Sequence, residues 1–214
     1  MIEFRGARRR LVETLREKGV TDLAVLRAVD LVPRHLFVPD GLVHRAYEDS
    51  ALPLGDGQTI SQPFVHAMSL QLLQLTGTER VLEVGTGSGY QTALLATLAA
   101  QVFTVERVRS LLDRAREALR QCGANNVSLM LGDGSIGWRE QAPFDAIVVS
   151  AAATEVPEPL AEQLAEGGRM VIPIGSAAEQ SLTLFHKVGG AIRRRDIFAV
   201  KFVPLKGRFG SRKT

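Results

Sequence analysis

The sequence is poor in cysteine and lacks long apolar runs, and each shortage excludes a class of protein. Cys122 is the single cysteine among 214 residues and has no CxxC partner, so we expect neither a disulfide scaffold nor a metal site, and we place its thiol on an apolar helix face. No apolar run approaches the ~20 residues of a membrane helix, and the start, MIEFRGARRR, lacks the apolar core of a signal peptide. These features predict a cytoplasmic protein with no membrane partner.

Aromatic residues make up only 6% of the chain, and basic residues concentrate in three clusters at 8–10, 193–195 and 206–214. Basic clusters can attract phosphates, but no aromatic residues are interleaved with the arginines to stack on bases. We therefore expect solvated surface and no nucleic-acid partner. A hydrophobic content of 45% is typical of one globular core, which predicts a single domain over 1–214 and a monomer.

The first part of the chain, residues 1–75, reads as a helical segment that precedes the main core. Apolar spacing predicts two helices, the second with Thr21 as its N-cap, followed by an irregular stretch rich in Pro, Gly and Asp. Pro63 suits the first turn of a third helix, which Gly77 would end.

Residues 76–214 alternate between short apolar strands and amphipathic helices. Strand patterns occur in RVLEVG, VFTVE, VSLMLGDG, FDAIVVSAA and RMVIPIG, and PEPLAEQLAEGG reads as a helix ended by paired glycines. Alternation at this spacing predicts an α/β fold with a doubly wound, Rossmann-like parallel sheet. SLTLFHKV and IFAVKFVPL, separated by two glycines, predict an antiparallel hairpin at the sheet edge.

A glycine-rich loop directly follows the first of these strands. Gly85, Gly87 and Gly89 lie between the strand and a helix that opens at Tyr90. Glycines allow a sharp turn and close approach to a ligand, and a helix N-terminus offers free N–H groups. The loop therefore predicts a site for a nucleotide-like or carboxylate-bearing ligand.

Two acidic residues end the next two strands. Glu106 follows Gly85 at about the separation at which a carboxylate reaches ribose hydroxyls, although a strand-end acid in solvent is the alternative. Asp133 ends the third strand, where Asp-Gly is also a common turn pair. Both positions lie where doubly wound sheets bind ligands.

The ligand that fits this loop is either NAD or S-adenosyl-L-methionine. The spacing G-x-G-x-G, with Glu83 two residues before the first glycine, suits a cofactor that has an ammonium group to pair and no pyrophosphate. No GK[ST] follows, which argues against a P-loop. The pattern favours S-adenosyl-L-methionine.

A series of longer motifs resembles a known family closely. The motifs are VPRHLFVP, AYEDSALPLGDGQTISQP, RVLEVGTGSGYQTALLA, TVER, NVSLMLGDGSIG, GGRMVIPIG and the terminal FVPLKG, in the family's order. The chain is similar to the protein-L-isoaspartate (D-aspartate) O-methyltransferases. The resemblance implies a class I S-adenosyl-L-methionine-dependent methyltransferase fold, S-adenosyl-L-homocysteine as product, and isoaspartyl-containing proteins and peptides as substrates.

The resemblance also implies roles for individual residues. Ser61 would sit beside the substrate carboxylate as an orienting hydroxyl, with Thr59 and Ile60 on the same wall. From the residues alone, helix capping is the alternative for Thr59 and Ser61. The remaining implied positions are Glu83 and Gly85 near the methionine portion of the cofactor, Gly87 and Ser88 as further cofactor-binding residues, Glu106 at the ribose, Asp133 and Gly134 at the adenine, and His66 and Val203 at the substrate.

Two other functions remain open at this stage. One is a methyltransferase acting on a small molecule or nucleic acid, which would bind the cofactor but ignore isoaspartyl peptides. The other is a non-catalytic binding module, against which the intact glycine loop, Glu106 and Ser61 argue.

Overall fold

The computed structural model describes residues 4–55 and 57–210, which form α-helices and β-strands in alternation over most of their length. The helices are α1 (Arg5–Glu17), α2 (Leu23–Leu31), α3 (Pro63–Leu73), α4 (Tyr90–Leu98), α5 (Arg109–Cys122) and α6 (Glu158–Gln163). The strands are β1 (Leu52–Gly55), β2 (Gln58–Ile60), β3 (Arg80–Val84), β4 (Gln101–Glu106), β5 (Val127–Leu131), β6 (Phe144–Val149), β7 (Leu164–Gly175), β8 (Gln180–Val188) and β9 (Ala191–Val200).

Seven strands form one sheet in the order β5-β4-β3-β6-β7-β8-β9, while β1 and β2 pair separately. The strands from β5 to β7 are parallel, and β8 and β9 add an antiparallel hairpin at the edge. The predicted α/β architecture is therefore confirmed. The chain leaves β3 for β4 on one side and later returns to β6 on the other, which creates a crevice beyond the carboxyl ends of these strands.

The two faces of the sheet are covered by different elements. Alternate side chains of β3 belong to two hydrophobic clusters, with Val81 in one and Leu82 in the other. The cluster around Val81 contains the apolar residues of α1 to α5, and the cluster around Leu82 includes Leu160 of α6. Burial on both faces explains why the central strands are predominantly apolar. Cys122, at the end of α5, is half-buried against the first cluster, as expected.

Three local predictions differ from the structure, and the first concerns the start of α2. Asp22, not Thr21, caps this helix, because its carboxylate accepts hydrogen bonds from the N–H groups of Ala24 (2.8 Å) and Val25 (3.2 Å). The N–H of Thr21 instead donates to Gln71 Oε1 of α3 at 2.7 Å. The cap therefore lies one residue later than predicted, and the N–H of Asp22 donates to the same Gln71 oxygen at 2.8 Å.

The second difference is the end of α3. Pro63 is its first residue, as predicted, but the helix ends at Leu73, where Gln74 adopts a left-handed conformation with φ of 53°. Gly77 lies in the following turn, also with positive φ. A non-glycine residue can therefore end this helix in the conformation for which glycine was expected.

The third difference is the segment read as a helix ended by paired glycines. Helix α6 has only six residues, and Leu164–Gly175 forms one long strand that includes both glycines. A Cβ atom at Gly168 would approach the carbonyl oxygen of Ala165 to 2.8 Å. Glycine is therefore needed at this position, where the strand is irregular. Within residues 4–55 and 57–210, no helix combines the length and apolarity that crossing a bilayer requires.

Candidate cofactor and substrate site

A cavity of about 880 Å³ lies beyond the carboxyl ends of the central strands. Its walls come from the β2 region (57–62), the glycine loop (84–88), the end of β4 (105–108) and the segment 198–206, which comprises the end of β9 and the residues after it. A volume of this size suits a ligand as large as a nucleoside derivative together with part of a second molecule. The crevice predicted from strand order is therefore a real cavity.

The glycine loop brings backbone groups to the cavity wall. Gly85 and Gly87 have positive φ values of 94° and 54° and line the cavity together with Ser88. Gly89 opens α4 with φ of 86°, and a Cβ atom there would meet the Cβ of Ala115 at 3.2 Å. The loop thus needs glycine for its backbone conformation and, at Gly89, for close packing against α5.

Glu106 presents a carboxylate at the end of β4 whose position the backbone fixes. Its Oε2 accepts from the N–H of Gly87 at 2.9 Å, and its Oε1 accepts from the N–H groups of Arg107 (2.8 Å) and Val108 (2.9 Å). The residue is buried but lines the cavity. A held carboxylate at this strand end meets the geometric requirement for binding ribose hydroxyls.

Glu83 lies behind the cavity wall and not on it. Its carboxylate accepts hydrogen bonds from the hydroxyls of Thr92 and Thr104 and from Gln91 Nε2, and the side chain is fully buried. This position differs from the predicted pairing with a cofactor ammonium group, because protein donors already occupy both oxygens. Burial raises the pKa of Glu83 to about 7, against an ordinary value of 4.5.

Asp133 also holds protein groups instead of lining the cavity. Its carboxylate accepts from the N–H of Ser135 (2.9 Å), the hydroxyl of Ser135 (2.7 Å) and the N–H of Arg208 (2.7 Å), which ties the C-terminal segment to the end of β5. Of the two residues expected at the adenine, Gly134 lines the cavity and Asp133 does not. A Cβ atom at Gly134 would approach Val84 Cγ1 to 2.5 Å, so a larger residue does not fit there.

Thr59, Ile60 and Ser61 form one wall of the cavity. They do not cap α3, because that helix has no side-chain cap at Gln62 and the N–H of Phe64 donates to Asp49 Oδ1 at 2.8 Å. Within the described part of the chain, the Ser61 hydroxyl has no hydrogen-bond partner. That hydroxyl is therefore available to a ligand.

His66 lines the same cavity from α3. Its Nδ1 lies 2.6 Å from Gln91 Oε1, which can only accept, so Nδ1 carries the proton and Nε2 offers a lone pair. Nε2 is buried and has no partner among the described residues. Burial lowers the pKa of His66 to about 4, so the ring is neutral at neutral pH. Val203 is half-buried at the cavity wall, where its carbonyl accepts from the N–H of Ala152 at 2.8 Å.

Sequence reasoning missed two polar residues of the site. Gln91 lies in the first turn of α4, where it joins His66 to Glu83 and donates to Ser150 Oγ at 3.0 Å. Ser150 directly follows β6, and the rule that ligands bind beyond strand ends could have identified it. Within residues 4–55 and 57–210, no group of three His, Cys, Asp or Glu side chains could hold a metal ion.

Comparison with known proteins identifies the family to which this arrangement belongs. The family model for protein-L-isoaspartate(D-aspartate) O-methyltransferase matches residues 6–210. The protein-L-isoaspartate O-methyltransferase of Dictyoglomus thermophilum is 51% identical over 208 residues, which is 97% of this chain and 94% of that protein. The corresponding protein of Hahella chejuensis is 52% identical over 205 residues, which is 95% of this chain and 97% of that protein.

Solved structures agree with the sequence comparisons. A protein-L-isoaspartate O-methyltransferase structure has a TM-score of 0.86 and 31% identity, covering 95% of this chain and 67% of that chain. A Plasmodium falciparum structure, described as the same enzyme in complex with S-adenosyl-L-homocysteine, has a TM-score of 0.82 and 30% identity, covering 92% of this chain and 97% of that chain. The chain therefore belongs to the protein-L-isoaspartate(D-aspartate) O-methyltransferase family, an S-adenosyl-L-methionine-dependent group of enzymes.

Proposed function

We propose that this enzyme methylates the free α-carboxylate of L-isoaspartyl residues in damaged proteins and peptides, with Ser61 orienting the carboxylate. The ester product starts the conversion of these residues to aspartyl residues through a succinimide. The observation that carries the proposal is that the Ser61 wall and the glycine loop with Glu106 line the same cavity. A substrate carboxylate beside Ser61 would thus share the cavity with the cofactor.

The cavity residues fit S-adenosyl-L-methionine, which when bound supplies a methyl group on a sulfonium centre and leaves as S-adenosyl-L-homocysteine. We assign Gly85, Gly87 and Ser88 to its amino-acid portion, because these residues offer loop backbone and a hydroxyl at the wall. We assign Glu106 to the ribose hydroxyls, because three backbone N–H groups fix its carboxylate. We assign Gly134 to the adenine, because it lines the cavity next to the end of β5.

Glu83 and Asp133 act on the cofactor indirectly in this proposal. Glu83 accepts a hydrogen bond from Gln91, a residue of the cavity wall, and so fixes the orientation of that amide. Asp133 holds the C-terminal segment through Arg208 and precedes Gly134 at the wall. Both residues therefore support cofactor binding from behind the wall.

The methyl transfer needs little acid–base catalysis from the protein. A carboxylate with a pKa of ~3.9 is already ionised at neutral pH, so no general base is needed. What the reaction needs is alignment, and a hydroxyl hydrogen bond from Ser61 directs one carboxylate oxygen while the other is left to react. Ile60, almost fully buried on the same wall, helps exclude water. Well-aligned reactants gain several kcal/mol, up to roughly 7 to 11 in ideal cases.

We assign His66 and Val203 to the peptide that carries the isoaspartyl residue. The neutral His66 ring lines the cavity from α3. Val203 lies on the segment after β9 and provides apolar wall near the cavity mouth. Neither residue is needed for the chemical step itself.

The test is transfer of labelled methyl groups from S-adenosyl-L-methionine to an isoaspartyl peptide and to its aspartyl twin, counted as base-labile ester. We expect label only on the isoaspartyl peptide and a fall in kcat of about 10- to 100-fold for Ser61→Ala, since one orienting contact is lost. Ser128→Ala, on β5 and outside the cavity wall, is the matched control and should keep full activity. Cofactor binding without label on either peptide would refute the substrate assignment.

We also propose that the chain acts as one cytoplasmic, monomeric domain without nucleic-acid or membrane partners. Supporting this, residues from both the 1–75 segment and the 76–214 core contribute to the same hydrophobic cluster. Sedimentation equilibrium across a range of concentrations tests the monomer, and limited proteolysis tests the single domain. A stable fragment that ends near residue 75 would contradict it.

A further inference from the structure

Arg34 is a fully buried arginine directly behind the Ser61 wall. Its Nη2 donates to the carbonyl oxygens of Ser61 (3.3 Å) and Ser50 (3.4 Å), both residues of the cavity wall. Its exposure is 0%, and its Nε and Nη1 have no hydrogen-bond partner among the described residues. Arg34 itself does not line the cavity. The guanidinium is therefore separated from the cavity by the wall that carries the proposed orienting hydroxyl.

The charge of Arg34 has no ion-pair partner in the described part of the chain. Asp49 is the carboxylate that acts on it through space, but Asp49 Oδ2 lies 2.6 Å from Lys18 Nζ. The ring of Tyr90, 5.0 Å from the guanidinium carbon, offers only a cation–π contact. Burial lowers the pKa of Arg34, yet an arginine pKa is ordinarily so high that the side chain stays charged at neutral pH. A buried charge without an ionic partner is costly, so a second role is expected of it.

We propose that Arg34 is a positioning residue whose buried positive charge draws the substrate's α-carboxylate to Ser61. This inference rests on the function proposed above. The guanidinium is fully buried, so water does not surround it and screens its charge less, and the field of the charge extends through the wall. The hydrogen bond to the Ser61 carbonyl also holds this part of the wall at a constant distance from the charge. Arg34 thus favours an anion where Ser61 can orient it.

The charge change during the reaction determines whether loss of the Arg34 charge alters substrate binding or kcat. A carboxylate oxygen forms a bond to the methyl carbon while the S–C bond breaks and its electron pair stays on sulfur. The anionic carboxylate becomes a neutral ester, so its negative charge is partly lost in the transition state. A nearby cation therefore stabilises the bound substrate more than the transition state. Loss of the charge should weaken binding and leave kcat unchanged or higher, whereas a misplaced Ser61 would lower kcat.

The experiment compares binding of an isoaspartyl peptide with binding of its α-carboxamide analogue, by calorimetry in the presence of S-adenosyl-L-homocysteine. We expect the wild-type protein to bind the carboxylate peptide at least 10-fold more tightly than the carboxamide. In Arg34→Met this ratio of affinities should be about 10-fold lower. Arg34→Lys keeps the charge and should retain the preference within about threefold. Arg80→Met is the matched control, because Arg80 also stacks on a ring (Phe103, 4.8 Å) and donates to a carbonyl, but lies outside the cavity wall.

A second readout needs neither ligand nor activity. Burial is the main cause of the low pKa of His66, and the charge of Arg34 lowers it further. The pKa of His66, measured by NMR on the free protein, should therefore rise in Arg34→Met and stay unchanged in Arg80→Met. If Arg34 acts only through packing, the pKa of His66 need not rise in Arg34→Met.

The possible outcomes are distinct. Equal weakening of carboxylate and carboxamide binding in Arg34→Met, or a fall in kcat with unchanged KM, would overturn the proposal. If Arg34→Met does not fold, the wild-type comparison decides, since equal affinity for carboxylate and carboxamide refutes a charge-based role. Failure of the wild-type protein to methylate any isoaspartyl peptide would instead refute the proposed function.

Discussion

The buried carboxyl of Glu83 makes the stability of the protein depend on pH in an unusual direction. Burial raises the pKa of Glu83 from 4.5 to about 7 in the folded protein, while the unfolded chain keeps the ordinary value. Between these two values the folded state therefore holds more of the proton than the unfolded state. The stabilising contribution is complete below about pH 4.5 and is lost as the pH rises through about 7.

The size of the effect follows from the difference between the two pKa values. One unit corresponds to about 1.4 kcal/mol, so the full change is about 3 kcal/mol, of which about 2 to 3 kcal/mol falls between pH 5 and pH 8. The donors from Thr92, Thr104 and Gln91 favour the charged carboxylate, and desolvation outweighs them because the side chain is fully buried.

The perturbation is Glu83→Gln, which keeps the size of the side chain and removes its titration. The assay is urea unfolding of the variant and the wild-type protein between pH 5 and pH 8. We expect the free energy of unfolding of the wild-type protein, relative to the variant, to fall by about 2 to 3 kcal/mol over this range. The absolute stability of the variant does not enter this comparison, because only the change with pH is used.

Glu162→Gln supplies the control, since its side chain is 58% exposed and the charge change is the same. We expect this variant to follow the wild-type pH dependence. The reasoning is refuted if the difference in the free energy of unfolding between Glu83→Gln and the wild-type protein stays constant from pH 5 to pH 8. Glu83 would then have the same pKa in the folded and the unfolded protein.

Two further predictions concern the helix cap and the cofactor site. Asp22→Ala should lower the free energy of unfolding by about 1 kcal/mol in urea, because Asp22 caps α2, whereas Thr21→Ala should cost less; an equal effect would contradict the assignment of the cap. Glu106→Ala should weaken binding of S-adenosyl-L-homocysteine at least about 10-fold in calorimetry, because a fixed, charge-assisted hydrogen-bond acceptor is removed. Unchanged affinity would exclude Glu106 from the cofactor site.

Much of the fold was predictable because its signals are local. The parallel strands are short apolar segments that alternate with amphipathic helices, and buried central strands need such a composition on both faces. The glycine loop was predictable for a similar reason, since a strand, three glycines and a helix start occur within a few residues. The cavity then follows from strand order, because strand ends at the switch point lie side by side.

The role of an individual polar side chain was harder to predict, because it depends on contacts between distant parts of the chain. Glu83 was expected at the ligand, but donors from α4 and β4 enclose it. Arg34 looked like one charged residue among many, and only the folded chain places it behind Ser61, 27 residues later. Segment 201–205 was read as part of the hairpin, yet it leaves β9 and bridges to Ala152.

The wall formed by residues 198–206 makes the cavity depend on a part of the chain outside the parallel sheet. The glycine loop and the Ser61 segment occur in the first half of the sequence, whereas this wall comes after all the parallel strands. Removal of residues 198–206 would therefore open the cavity on one side while leaving every parallel strand in the sequence. The parallel sheet positions the site, and the segment at and beyond the end of β9 completes it.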